Sequence, residues 1–438
     1  MRVDLGLKIH KTKEEAQAAA VDAAVNSLIE KALARGASDV HIEPRARNIV
    51  VRFRVDGWLQ ETGKLPLAAL DGIMQNLKKR AGMDANERSA PQSGSFQLDS
   101  NQIAASVRVA TMPTITGEKV VLHLVRHLGE PATLEALGFW GESLRRLEAA
   151  SAEPHGLIVA AGLHRTGGTM SLLGLVHLLN NPALNVATLE ETVEQRIAGI
   201  AQTQVSSAAG VNFSTGLQAL LKQDPNVVMV SDLGESDTVR VAVQAALGGR
   251  LILGGLHASD AANGIKHLLS MHTEPFLVAS ALRAAIGQRF VRRLCMSCRV
   301  AYEPDESTRK SLRALLRAGG IKSVKELHEL ERTAIAAGLG DEADDTSTTE
   351  KSITRLFRAS HEGCPRCRFR GLSGQLGLNE VLIPSDAMKK LLVSNPAAAS
   401  VRKLAVEEGM LPMACDGLIK ALRGLTSLEE ISPLAAAA

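Results

Sequence analysis

Aromatic residues are scarce, at 3% of 438 positions, with Trp58, Trp140 and Tyr302 the only tryptophans and the only tyrosine. So few rings leave little to stack bases on, which disfavours a single-strand nucleic-acid platform. A charge excess is missing as well. Fifty Lys and Arg against 47 Asp and Glu leave a formal +3, too near neutral to draw the chain to nucleic acid or an acidic membrane by charge alone. No window approaches the roughly 20 consecutive apolar residues of a membrane helix. The opening MRVDLGLKIHKTKEEAQ lacks the apolar core of a signal peptide. The expectation is a soluble, cytoplasmic protein, free to dock on a membrane machine.

What is present is ordinary globular composition, 45% hydrophobic and 22% charged, in a chain long enough for two or three domains. The cysteines say more. Of five, Cys295, Cys298, Cys364 and Cys367 form two C-x-x-C pairs, and without an export signal these read as metal ligands before disulfides. A two-residue gap lets both thiolates of a pair reach one ion, and two pairs complete a tetrahedron with no open position. The expected ion is a structural Zn²⁺, with reduced thiols the plain alternative. Cys415 reads as an isolated buried thiol.

The chain divides by pattern. Residues 1–130 begin with a helical, Ala- and Glu-rich stretch and continue in β-branched runs such as IVVRFRVDG, which predicts a small α+β domain. A short helical linker follows at 131–153. From 154 to 294, apolar runs such as GLIVAAG, NVVMVSD and RLILGGLH alternate with helical segments, the mark of a largely parallel sheet covered on both faces. The four cysteines and a charged insertion occupy 295–380, in which DEADDTSTTE reads as a mobile linker. Residues 381–438 are expected to be helical.

Gly162-Leu-His-Arg-Thr-Gly-Gly168-Thr169 falls where a predicted strand meets a predicted helix, with the spacing G-x-x-x-x-G-K-[ST] of a phosphate loop. Glycines let such a loop turn its N–H groups toward phosphate, and the helix N-terminus adds its dipole. Thr169 suits Mg²⁺, but Gly168 stands where the lysine should. An ordinary Gly-rich turn has the same look. Val227-Val-Met-Val-Ser-Asp232 has the form of a Walker B strand, or of a buried strand followed by a capping Asp.

The order of these segments resembles the secretion ATPases of type II secretion and type IV pilus assembly over nearly the whole chain. ASDVHIEP, VRFRVDG, AGMDANERSAPQSG, VRVATMPTITGEKVVL, TLEETVE, LLKQDPNVVMVSD, GGRLILGGLHASDA and QRFVRRLC carry the likeness in family order. The resemblance implies an N-terminal PAS-like domain, a RecA-like P-loop core within an α/β fold and a C-terminal zinc-binding helical region. It also implies a ring, usually a hexamer, that binds ATP between the two domains. Gly162, Arg165, Thr166, Gly167, Gly168 and Thr169 would form the nucleotide loop, with Arg108 a phosphate cation. Glu190, Asp232 and His257 would be the catalytic acids and the histidine-box residue, though solvated carboxylates and a helix-capping histidine remain open readings. Arg52 and Arg54, on a strand that faces the next subunit in the family, would make ring contacts, with solvated surface charge the open alternative. The paired cysteines place the chain with the assembly branch.

Departures from the pattern decide the expected activity. Beyond Gly168, the Walker B acid is the shorter Asp232, and GEIRD becomes Ser231-Asp-Leu-Gly-Glu235. GLRAILRQDP becomes Gly216-Leu-Gln218-Ala-Leu-Leu-Lys222-Gln-Asp-Pro225, VVLRL carries His123, PQDGR ends in Ser95 and GRxGIYE carries Gln375. A supplied arginine is worth roughly 10³–10⁵ in phosphoryl-transfer rate, so several losses predict little hydrolysis. The expected protein is a catalytically silent family subunit with a scaffold or regulatory role, with ATP and Mg²⁺ binding weakened. Its partners would be itself, an active paralogue and inner-membrane platform proteins, and not nucleic acid. The alternative is a slow, active ATPase that drives pseudopilus or pilus assembly, with Arg165 in place of the lysine.

Overall fold

The computed structural model describes residues 13–434 except 56, 100–103, 127–132, 163–167, 194, 207–209 and 342–344. Two compact units emerge, one of residues 1–129 with 192–196, the other of 130–191 with 197–438.

The first unit lays α1 (Lys13–Ala34) and α2 (Leu70–Arg80) on one six-stranded sheet. The strands are β1 (Ala37–Pro44), β2 (Ile49–Val55), β3 (Trp58–Leu65), β4 (Gln92–Asp99), β5 (Ala104–Thr114) and β6 (Gly117–Arg126), in the order β3-β2-β1-β6-β5-β4. Every neighbouring pair is antiparallel. Val40, Ile42, Val51, Phe53, Val109 and Leu122 meet Ile29 and Leu33 of α1 and Leu77 of α2. The period of two sends their neighbours to the other face. There Arg54 pairs with fully buried Asp39 at 3.3 Å, and Arg52 reaches Glu43 at 2.6 Å. Burial works against ionisation of Glu43, but bonds from Lys119 and Arg52 hold its carboxyl down at about 2. Arg52 and Arg54 are thus tied within their own unit.

The second unit is doubly wound. In chain order its elements begin α3 (Gly141–Ser151), β7 (Gly156–Ala161), α4 (Gly168–Leu178), β8 (Val186–Glu190), β9 (Ala201–Gln204), α5 (Phe213–Leu221), β10 (Val227–Val230) and α6 (Ser236–Leu247). There follow β11 (Leu251–Leu256), α7 (Ala261–Ser270), α8 (Pro275–Ala281), β12 (Leu282–Leu294), β13 (Val300–Tyr302), α9 (Glu306–Ala318) and α10 (Val324–Ala336). The chain closes with β14 (Leu356–Arg358), β15 (Leu372–Leu382), α11 (Asp386–Val393), α12 (Ala398–Glu407), α13 (Met413–Leu422) and α14 (Leu428–Ile431).

The large sheet runs β15-β12-β7-β11-β10-β8-β9, parallel except that β15 returns antiparallel on β12. Its central strands are apolar on both faces because helices cover both. Ile158, Met229 and Leu253 pack on Leu147 of α3 and Leu172 of α4. Val159, Val230 and Ile252 pack on Val239 of α6, Ile265 of α7 and Val278 of α8.

Helix α13 anchors the end of the chain. Lys420, fully buried, donates to the Gly138 and Gly377 carbonyls at 2.6 and 2.7 Å and to Asp416 at 2.6 Å. Asp416 also accepts from Trp140 Nε1 and from the Asn379 N–H. Breaking a buried pair on one side strands a charge and costs about 3–5 kcal/mol. Asp416→Asn is therefore expected to lower the urea midpoint by that amount of stability, far beyond a surface Asp→Asn change.

The insertion corrects one expectation. The acidic stretch is not wholly a mobile linker: among its described residues Ser347 and Thr348 are buried, and fully buried Glu331 accepts from the Ser347 N–H at 2.7 Å and from the Thr348 hydroxyl. Arg423 donates to the Leu339 and Asp341 carbonyls at 3.1 and 2.8 Å. A buried carboxylate and a buried guanidinium need such partners, and this polar segment supplies them.

Candidate active site and metal centre

The C-terminal ends of β7, β11, β10 and β8 lie side by side, the edge at which open parallel sheets bind ligands. At the end of β7 the Gly162 N–H donates to the Leu256 carbonyl at 3.0 Å. Helix α4 then starts at Gly168, with Thr169 next and half-buried. Arg165, Thr166 and Gly167 lie outside the described residues. A Cβ built on Gly168 would sit 3.5 Å from the Ala160 carbonyl oxygen and 3.7 Å from the Gly162 nitrogen, which is ordinary contact. Among the described residues, nothing crowds a Cβ there.

Glu190 ends β8 and is 1% exposed. Its Oε1 accepts from Thr188 Oγ1 at 2.6 Å and from Gln202 Nε2 at 3.0 Å. Thr188 is two residues back on the same face, and Gln202 sits opposite Thr188 on β9. Among the described residues, Oε2 has no hydrogen-bond partner. Burial raises the Glu190 carboxyl above its usual range, and the bonds from Thr188 and Gln202 offset part of that. Sequence reasoning missed Gln202, because AQTQ carries no apolar alternation that would announce a strand.

Asp232 follows β10 and is half-buried. Burial lifts its carboxyl, nearby His257 and the Gly234 N–H oppose the lift, and Glu191 adds to it. Oδ1 lacks a hydrogen-bond partner among the described residues. His257 is exposed just beyond β11, and His267 also acts on Asp232, which nothing in the motif indicated. The close approach of β10 and β11 needs glycine: a Cβ on Gly255 would lie 2.0 Å from the Ser231 carbonyl. Asp232, Glu191 and His257 therefore share one neighbourhood. Arg108 belongs to the first unit, on β5, in register with Ser95 and His123.

The two C-x-x-C pairs meet because β12 and β15 are antiparallel. Pairing runs to Leu294 opposite Leu372, and the Cys295 N–H donates to the Gly371 carbonyl at 3.0 Å. Sulfur separations are 3.7 Å for Cys295–Cys364, 3.7 Å for Cys298–Cys367 and 3.8 Å for Cys364–Cys367. All four sulfurs lie within 4.8 Å of one another. A tetrahedron with Zn–S bonds of about 2.3 Å has edges of about 3.8 Å, so the cage fits such an ion. Burial and the neighbouring thiols push Cys298 up to about 12. Burial also acts against Cys367, but N–H groups of Cys364 and Gly371, each 3.2 Å from its sulfur, draw it down to about 6. Gly363 and Gly371 shape this knuckle: with positive φ, a Cβ on either would come within 2.5 Å of backbone. Cys415 is fully buried apart from the cluster.

A parallel sheet with a glycine-rich strand-to-helix loop, a carboxylate on each of two neighbouring strands and a cysteine cage on its edge hairpin defines a RecA-like α/β protein. The family model described as Type II/IV secretion system protein matches residues 14–433, and the chain belongs to that family. It is 33% identical over 407 residues to the type IV pilus assembly ATPase PilB of Thermus thermophilus, covering 93% of this chain and 42% of that one. The type II secretion system ATPase E of Vibrio cholerae is 33% identical over 408 residues, covering 93% and 74%. Among solved structures, the ATPase DotB of Legionella pneumophila superposes with a TM-score of 0.63 at 15% identity, over 95% of this chain and 96% of that one. The pilus retraction motor PilT with bound ADP gives 0.58 at 16% identity, over 94% and 96%. At such identities these structures share the fold. No helix among the described residues is long and apolar enough to cross a membrane.

Proposed function

We propose that this chain is a subunit of a type II secretion or type IV pilus-like assembly machine that keeps the secretion-ATPase fold but not efficient ATP hydrolysis. Gly168 carries the reading. At the head of α4, where a phosphate-loop lysine belongs, Gly168 carries no side chain, although a Cβ there would meet only ordinary contacts among the described residues. The family arginines replaced by Gln218, Ser95, His123 and Gln375 compound the loss, since phosphoryl transfer depends on positioning and charge neutralisation. Glu190, Asp232 and His257 would be the remnants of the catalytic set, with Arg108, Arg165 and the glycines left for weak nucleotide binding and Thr169 for Mg²⁺. A scaffold or regulatory role follows, in a ring of its own copies or with an active paralogue, on the cytoplasmic side of inner-membrane platform proteins. The four cysteines would hold a structural Zn²⁺, which bound there would cross-link the β12–β15 hairpin.

The test is phosphate release by the purified chain with Mg²⁺ and ATP. The expected rate is indistinguishable from a no-protein blank. Turnover comparable with that of active relatives, and abolished by Arg165→Ala, would sink the proposal and make Arg165 the substitute cation.

A further inference from the structure

Within the first unit, the turn from β1 into β2 and the adjoining edge strand β3 enclose a groove of about 560 Å³. Arg45, Arg47, Arg52 and Lys64 line it with Asn48 and one carboxylate, Glu61. The turn is closed by the Arg45 N–H donating to the Asn48 carbonyl at 2.8 Å. Lys64 lies 3.5 Å from Glu61, while Glu43, beside the groove, is shared by Arg52 at 2.6 Å, Lys119 at 2.8 Å and Arg45 at 3.5 Å. Five cations (Arg45, Arg47, Arg52, Lys64, Lys119) thus meet two carboxylates (Glu43, Glu61), an excess of three. Among the described residues Arg47 has no ion-pair partner. Arg52 is already oriented by Glu43, and its Nε is buried without a hydrogen-bond partner.

Gathered like charges repel unless a counter-charge offsets them. Three of the four lining cations are arginines, whose planar forks match phosphate oxygens in pairs. None of the lining residues is aromatic, so a base would find nothing to stack on, and the volume suits a small molecule. We propose that this groove binds a small anion carrying two or more phosphate groups, recognised through its phosphates alone. A soluble phosphate compound and a lipid headgroup share that chemistry.

The experiment uses the full chain with inorganic pyrophosphate in titration calorimetry at low and physiological salt. Binding is expected, weakened by salt because the groove is open to solvent. The double variant Arg45→Gln, Arg47→Gln should lose at least about tenfold in affinity, the worth of one charge-assisted contact. Thr169→Ala, in the phosphate loop of the other unit, should leave this binding unchanged. Retention on cardiolipin vesicles, whose headgroup carries two phosphates, that pyrophosphate competes away would assign the groove to a headgroup; pyrophosphate binding without retention would assign it to a soluble compound. The proposal fails if the double variant binds like the parent, if Thr169→Ala abolishes binding, or if neither pyrophosphate nor vesicles bind.

Discussion

Gly168→Lys is expected to tighten binding of Mg²⁺–ATP about tenfold to a hundredfold, the worth of one charge-assisted contact to phosphate. Among the described residues the new Cβ meets only ordinary contacts, with 3.5 Å to the Ala160 carbonyl the shortest. Removing a glycine from a helix gains roughly 0.5–1 kcal/mol. A lysine at the positive end of the helix dipole gives back a similar amount. Thermal stability should therefore barely move, and Gly168→Ala isolates the backbone effect from the charge. Under the proposed function, in which Gln218, Ser95, His123 and Gln375 stand for lost arginines, turnover should stay near background. Fluorescent-nucleotide titration beside phosphate release separates the two quantities. An unchanged affinity would mean that the lysine's absence is not what weakens this site.

The sequence displays the parts of this fold that depend on apolar runs. GLIVAA, VVMV and LILGGL are buried along their whole lengths, and a run with no polar face has only the middle of a covered sheet to occupy. The turn glycines that let loop and strand ends approach one another are visible for the same reason. Polar packing hides instead. Nothing in AQTQ announces a strand that aims Gln202 at Glu190, because the pairing is set by β8 and not by hydrophobic alternation. DEADDTSTTE reads as a mobile linker, yet Glu331 and Arg423 bond its Ser347 N–H and Asp341 carbonyl. Lys420 and Arg423 look like surface residues on a helix and are both buried. Partners such as the Gly138 and Leu339 carbonyls come from distant parts of the chain, and local composition carries no trace of them.

The cysteine cage yields the other large effect. Its pairs stand 69 residues apart, so only the antiparallel return of β15 on β12 closes it, and an ion there would lock a hairpin that α9, α10 and α13 pack around. Full-length protein should carry about one zinc per chain by elemental analysis. Removing the ion with a strong chelator, or mutating Cys364→Ser, should destabilise by several kcal/mol, since structural zinc contributes on the order of 10–16 kcal/mol of apparent binding energy in small domains. Thermal denaturation with and without chelator reads this, and restoring zinc should reverse the chelator's effect but not that of the serine variant. Without the ion the cage would lose its cross-link between β12 and β15. Metal-free protein as stable as the zinc-loaded form would show that β12 and β15 hold the knuckle unaided, and the thiols would then be ordinary buried side chains.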